Sequence, residues 1–458
     1  MRYQTINPAT EEIIESYSLM PLEEVRAQLA QTEQAFGAWR QRCVTERAAL
    51  LTALATVLRE NRARYARTIT IEMGKPIREA RAEVEKCAWL CEVYAEHGPA
   101  WLAEQRVHAD GLRHRVVLQP LGVILSVMPW NFPFWQVLRC AVPALLAGNA
   151  SLLKHARNVP QCALAIEAAF REAGFPEELF RTVLTDHEGV AALLASDAVR
   201  GVSLTGSTAA GMRVAAAAGR ELKKVVLELG GSDPFIVLED ADLDVTVPQA
   251  VTGRMLNTGQ SCIAAKRFLV AAPIADEFIE RFTAEMKSLV IGDPLDEQTR
   301  VGPLVNREAL ETLQAQLAAS VEQGARVTVG GKRLDRPGYF FEPTVAADVT
   351  PKMPIAREEV FGPVAPVLVV RDDREALALA NATPFGLGGS VWTRDLERGT
   401  RIAYEIEAGA VFVNSIVKSD PRLPFGGIKQ SGLGRELAAE GLHEFVNVKS
   451  LNVYRHGG

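Results

Sequence analysis

Apolar residues recur every three and four positions through residues 22–105, so this region reads mainly as helix, with Leu22 to Trp39, Glu46 to Leu58 and Arg78 to Trp101 as separate runs. The period changes over 113–128. Arg113 to Gln119 reads as a strand, Pro120 to Gly122 as a turn, and the stretch ending at Val127 as a buried strand. A strand–helix rhythm follows. Ser151 to Lys154 is a short strand, Gln161 to Ala173 a helix closed by Gly174, Val199 to Leu204 a strand, Gly206 to Gly211 a turn opening a helix, and Val225 to Leu229 another strand. Such alternation predicts an α/β fold with a parallel, doubly wound sheet. After Gly230-Gly231-Ser232-Asp233-Pro234 a second series begins, which puts a boundary near 233–235. It contains strands at Arg267 to Val270, Val327 to Val329, Val364 to Val370, Gly389 to Trp392 and Ala410 to Val413, and an amphipathic helix at Ala275 to Leu289. The tail from Phe445 to Val453 alternates like a strand, either pairing locally or adding to a sheet edge in a neighbouring subunit.

At 458 residues the chain is long enough for two domains. A composition of 48% apolar and 23% charged residues is that of a packed globular enzyme. The formal net charge of −6 argues against nucleic-acid and anionic-membrane partners. No stretch approaches the roughly 20 apolar residues of a membrane span, and the first residues have no apolar core of a secretory signal. Six cysteines are too few for a disulfide framework, and Cys87 and Cys91 share a helical face rather than forming a C-x-x-C pair. The seven histidines have no ligand-like spacing, so no metal site is expected and the cytoplasm is the expected compartment.

Three segments carry candidate chemistry. In Asn257-Thr258-Gly259-Gln260-Ser261-Cys262 a cysteine ends a polar, Gly-containing turn just before an apolar strand. A lone cysteine is commonly core packing. Here the polar turn points to exposure, and a thiolate is a strong nucleophile toward carbonyl carbon. In Leu227-Glu228-Leu229-Gly230-Gly231 a glutamate ends a strand before two glycines, which let a ligand or backbone come close. Glu228 is either a solvent-facing strand end or a general base at the ligand-binding edge of the sheet. In Pro129-Trp130-Asn131-Phe132-Pro133-Phe134-Trp135 an amide sits among rings, as an aromatic core corner or as a rigidly held oxyanion donor acting with the Cys262 N–H. No G-x-G-x-x-G or P-loop fingerprint is present. Lys154 and the helix opening at Gly206 are the remaining phosphate-binding features.

As a set these segments, together with Leu204-Thr205-Gly206-Ser207, Glu358-Glu359-Val360-Phe361-Gly362-Pro363 and Pro424-Phe425-Gly426-Gly427, resemble the aldehyde dehydrogenase superfamily, in that family's order and over nearly the whole chain. The resemblance is greatest to the shorter succinate-semialdehyde dehydrogenase-like branch. It implies two doubly wound parallel-sheet domains plus a small oligomerisation arm. A dinucleotide-binding domain would comprise 1–107 and 123–234, a catalytic domain 235–430, and the arm 108–122 and 431–458, joining a homodimer or homotetramer. It further implies Cys262 as nucleophile, Glu228 as general base and Asn131 as oxyanion donor. Trp130, Lys154, Gly206, Ser207 and Leu229 would line the dinucleotide, while Glu359 and Phe361 would position its nicotinamide end.

One residue departs from the NAD-preferring pattern: Arg157 stands three positions after Lys154, where those members often carry an acid. An arginine does not repel a 2′-phosphate and can pair with it, so NADP is expected beside NAD. In the succinate-semialdehyde branch an arginine and a serine grip the substrate's distal carboxylate, and Arg139 and Ser419 match them, with Trp135 and Phe425 as further pocket residues. A second arginine of better-known members is replaced by Leu256. The expected reaction is therefore NAD(P)-dependent oxidation of an aldehyde, succinic semialdehyde first, through a cysteine thioester that water hydrolyses. The alternatives are a general aliphatic or aromatic aldehyde dehydrogenase, a CoA-acylating relative, which has no need of a water-activating base such as Glu228, and a non-enzymatic protein on the same scaffold.

Overall fold

The structure is a computed structural model that describes residues 2–456. Two largely parallel sheets form its centre. The first has the strand order Gly432–Leu433, Lys224–Glu228, Val199–Thr205, Val123–Met128, Ala150–His155, Phe180–Thr182. All its pairings are parallel except that of Gly432–Leu433, which runs antiparallel to Lys224–Glu228. The second has the order Arg326–Val329, Thr344–Ala347, Val364–Val370, Ala265–Ala271, Asp233–Val237, Gly388–Trp392, Ala410–Val413, with only the first pair antiparallel. Their central strands are buried on both faces: Asp233–Val237 and Ala265–Ala271 are buried at every position. This is why they read as continuous apolar runs rather than alternating ones.

The expected helices are present at Leu22–Trp39, Val44–Glu60 and Ile77–Trp101, with a further one at Arg62–Met73. Their apolar stripes share one core with the first sheet. Cys87 and Cys91 lie together on the buried side of Ile77–Trp101. Arg2–Ile6 and Ile13–Ser18 form an antiparallel hairpin that the apolar pattern did not indicate.

The tail divides in two. Val446–Val453 pairs antiparallel along all of Arg113–Pro120 in the same chain, and Gln105–Val107 completes a three-stranded sheet. Residues 432–433, which the sequence reading had placed with the arm, instead extend the first sheet by pairing with Glu228 and Leu227. Arg113–Pro120 and Val123–Met128 follow one another in sequence yet belong to different sheets.

Candidate active site

The carboxyl ends of the first sheet's strands collect most of the residues singled out above. Asn131 follows Val123–Met128, Lys154 lies in Ala150–His155, Gly206 and Ser207 follow Val199–Thr205, and Glu228 ends Lys224–Glu228. In an open parallel sheet this edge is where ligands bind, because the loops and helix N-termini converge there. Facing it is the loop before Ala265–Ala271, which carries Cys262.

That loop has an unusual backbone. Asn257 and Thr258 both have positive φ (55° and 58°), and Gly259 follows at 76°. A left-handed conformation costs about 1–2 kcal/mol for a residue with a Cβ, so two in succession require outside bonds. Those bonds are numerous. The Asn257 N–H donates to Glu79 at 2.6 Å, and the Gln260 side chain donates to the Asn257 and Pro303 carbonyls and accepts from the Val305 N–H. The buried Arg254 guanidinium donates to the carbonyls of Gly259, Val360, Gly362 and Ala265. A Cβ at position 259 would lie 2.3 Å from the Gly362 oxygen, so only glycine fits there. The loop is thus fixed from several sides, as a strained functional turn must be.

Cys262 is half-buried and opens into a cavity of about 190 Å³. Burial pushes its thiol up to about 12, Lys266 and Arg139 pull it down, and Glu228 and Glu359 push it up further. The protein alone therefore holds the thiol protonated at neutral pH. Glu228 is buried, 2% exposed, and neither of its carboxyl oxygens has a hydrogen-bond partner. It does not point to solvent. Burial drives its pKa well above the usual carboxylate range, Arg139 opposing and Glu436 reinforcing the rise. An orphaned buried carboxyl is costly to keep, and the chain makes special room for this one: a Cβ on Gly426 would stand 2.7 Å from Glu228 Oε1. The glycines after Glu228 serve similar close approaches, since a Cβ on Gly230 would meet Glu359 Oε2 at 2.6 Å and one on Gly231 the Cys262 carbonyl at 2.7 Å.

Asn131 is buried and its Nδ2 donates to the Gln260 carbonyl at 3.1 Å, which holds the amide beside the cysteine loop. Asn257 ties the same corner by donating to the Asn131 carbonyl at 2.8 Å. Glu359 accepts from the Gly231 N–H at 3.0 Å and from Lys266 Nζ at 3.1 Å, while Lys266 also donates to the Cys262 carbonyl at 2.6 Å. Phe361 meets Trp130 edge-on, with ring centroids 5.8 Å apart. Trp130, Glu359 and Phe361 line one cavity, and Lys154 and Arg157 line another of about 770 Å³. Val305 and Asn306 line both. Arg157 is exposed, and neither it nor Lys154 forms an ion pair among the described residues. Ser207 caps the helix Thr208–Arg220 by accepting from the Ala210 N–H, and the Gly206 N–H donates to the Glu228 carbonyl. Leu229 is buried against Gly211, where a Cβ would come within 2.5 Å of it.

Trp135, Arg139, Ser419 and Phe425 all line the cavity that holds Cys262. Arg139 is not a surface residue of its helix: it is 2% exposed. Its guanidinium differs from the expectation in one respect, for it is already ion-paired inside the protein with Glu436 and lies over the Phe425 ring at 4.7 Å. Burial works against its charge, but Glu436 and Glu228 outweigh that and hold its pKa above the ordinary guanidinium value. Glu436, 4% exposed, also accepts from Ser203 Oγ at 3.2 Å.

Several site residues escaped the sequence reading: Glu436, Lys266 and a polar stripe on the helix Ile77–Trp101. In that stripe Glu79, Glu83 and Lys86 recur at four and three positions, so one face presents all three. Glu79 accepts from the cysteine loop. Glu83 is ion-paired with buried Lys75 and accepts from the Phe134 and Trp135 N–H groups that open the next helix. Lys86 Nζ donates to Ser419 Oγ at 2.7 Å and lies 4.3 Å from the centroid of the Trp135 ring. A usable signal was present: charges at helical spacing beside an apolar stripe through Ala80, Val84, Cys87 and Cys91 are costly unless paired or employed.

The family described as "Aldehyde dehydrogenase family" matches residues 1–451. The chain is 49% identical over 451 residues to a probable succinate-semialdehyde dehydrogenase [NADP(+)] of Synechocystis sp., covering 98% of this chain and 99% of that one. It is 48% identical over 456 residues to succinate-semialdehyde dehydrogenase [NADP(+)] 1 of Mycobacterium tuberculosis, again covering 98% and 99%. Among solved structures, succinic semialdehyde dehydrogenase from Streptococcus pyogenes in complex with NADP+ superposes with a TM-score of 0.96 at 37% identity, over 99% of this chain and 100% of that one. The chain belongs to the aldehyde dehydrogenase family.

Proposed function

We propose that the protein oxidises succinic semialdehyde to succinate with NADP, and with NAD as an alternative, through a thioester on Cys262. The observation that carries this reading is the pairing of a cavity-lining thiol with the buried, unpartnered Glu228 carboxyl, whose charge acts on that thiol. Such a pair has no use in packing. It suits proton transfer, because burial raises the carboxylate's affinity for a proton and leaves its oxygens free to take one.

The residues divide the work as follows. Glu228 takes the thiol proton and passes it to solvent, and the Cys262 sulfur attacks the aldehyde carbon. The Asn131 amide and the Cys262 N–H donate to the oxyanion that forms. Glu228 then takes a proton from water, which attacks the thioester carbonyl; the C–S bond breaks, the carboxylic acid leaves, and Glu228 returns the proton to the sulfur. The unpaired Lys154 and Arg157 fit the phosphate-bearing adenosine end of a dinucleotide, and Trp130, Glu359 and Phe361 fit its nicotinamide end. When bound, that group supplies the hydride acceptor and a positive charge beside the thiol. Hydrolysis rather than transfer to CoA is favoured by Glu228, since only the former needs a base for water.

The names of the relatives and Lys86, the cation beside Ser419 in the cavity, support a carboxylate-bearing aldehyde. The outer edge of the arm sheet, Val446–Val453, exposes Val448 and Leu451 and pairs with no further strand among the described residues, which supports assembly as a homodimer or homotetramer. All six cysteines are free thiols, which supports a reducing, cytoplasmic setting. No helix among the described residues is long and apolar enough to cross a membrane. The test is a panel of aldehydes run with each cofactor and followed at the reduced-nicotinamide absorbance. Succinic semialdehyde with NADP is expected to give the highest kcat/KM. An equal or better value for an uncharged aldehyde would remove the substrate assignment.

A further inference from the structure

The charges lining the Cys262 cavity are Glu79, Glu83, Lys86, Arg139 and Lys418. Four of them are accounted for. Glu83 is paired with Lys75, Arg139 with Glu436, Glu79 accepts from the Asn257 N–H, and Lys418 is exposed. Lys86 is different. No carboxylate lies within ion-pair distance of it among the described residues, and its one hydrogen bond is to the Ser419 hydroxyl. Asp420, the acid next to Ser419, is taken by Arg422 at 2.7 Å. An ammonium has three donors, so Lys86 keeps unused ones beside the Trp135 ring.

Its place in the cavity is also defined. Arg139 acts electrostatically on Cys262 and Glu228, which puts it at the reacting end. Lys86 stands where Ser419 and the Trp135 ring form the cavity wall. A half-buried cation without a countercharge there gains when an anion arrives.

We infer that Lys86, with the Ser419 hydroxyl, is the specificity-determining residue that receives the distal carboxylate of the aldehyde, while Arg139 is a positioning residue whose charge is committed to Glu436. This rests on the semialdehyde reading above and deepens it. Arg139 Nη2 has no hydrogen-bond partner and remains able to donate to the substrate, but the uncompensated charge belongs to Lys86.

The test compares succinic semialdehyde with butanal, which has the same chain length without the acid, on the full-length wild type and on Lys86→Met, Lys86→Gln and Lys86→Arg. Wild type is expected to favour succinic semialdehyde in kcat/KM. Lys86→Met and Lys86→Gln are expected to lose about ten- to a hundred-fold of that preference, through KM rather than kcat, which is the scale of one charged hydrogen bond. Their kcat/KM for succinic semialdehyde should fall at least about ten-fold more than that for butanal, and Lys86→Arg should restore most of the preference. A wild type without preference overturns the semialdehyde reading and this assignment with it. A wild type that prefers the acid while Lys86→Met and Lys86→Gln keep that preference, or lose both substrates equally, overturns the Lys86 assignment alone.

Discussion

Beside Cys262 the cation Arg139 has a partner of opposite sign inside the protein, and the orphaned group is the Glu228 carboxyl, whose affinity for a proton burial raises. Beside Ser419 the group without a countercharge is a cation, Lys86. In each case the chemistry of the uncommitted group matches what must come next: a proton acceptor where water is activated, and a positive charge where an acid is recognised. Groups without a partner therefore mark function better here than charge alone does, since the paired Arg139–Glu436 and Lys75–Glu83 ions are buried like Glu228 and more deeply than Lys86.

The sharpest way to break the reacting end is Cys262→Ser. A hydroxyl is a far weaker nucleophile than a thiol, so steady-state turnover should fall by about 10³-fold or more. Retention of rates near wild type would move the nucleophile elsewhere. Next in size is the cofactor end. Arg157→Glu replaces an unpaired cation with an acid, and the ratio of kcat/KM for NADP to that for NAD should fall about ten-fold. An unchanged ratio would mean that Arg157 stays in solvent. The smallest effect is a pH dependence at Lys86. Burial, reinforced by Arg139, lowers the Lys86 pKa to about 8, with Cys87, Asp420 and Glu83 opposing; Glu79 and Lys418 also face the cavity. A lysine is charged below its pKa, so preference for succinic semialdehyde over butanal should be full at pH 7 and decline as pH rises through 8. The decline should vanish in Lys86→Arg, whose guanidinium stays charged.

The regular parts of the fold were legible because they rest on local pattern. Helix periodicity marked Leu22 to Trp39 and Arg78 to Trp101, and alternation of short strands with helices marked the first parallel sheet, while the second was implied by the family resemblance. What was hidden depends on distant partners. The N-terminal hairpin has little apolar content, so periodicity carries no signal for it. The antiparallel Gly432–Leu433 is two residues long and is defined only by its pairing with Glu228 and Leu227. Of the candidate site, Cys262, Glu228 and Asn131 stood out through their unusual neighbours. Glu436 and Lys86 did not, since each looks like an ordinary charge until the fold sets it beside Arg139 or Ser419. The split of roles between Arg139 and Lys86 was for the same reason invisible: Glu436 is nearly three hundred residues from Arg139 in sequence.

The central claim is that Cys262 carries the acyl group and Glu228 releases it. Mass spectrometry of Glu228→Gln, quenched during turnover of succinic semialdehyde with NADP, tests both parts together. The amide keeps the shape but cannot take a proton from water, so hydrolysis should slow by about 10²–10⁴-fold. A thioester mapping to the peptide that contains Cys262 should then accumulate. A Glu228→Gln enzyme that turns over at the wild-type rate with no acyl group on Cys262, or one acylated at another cysteine, would contradict the account.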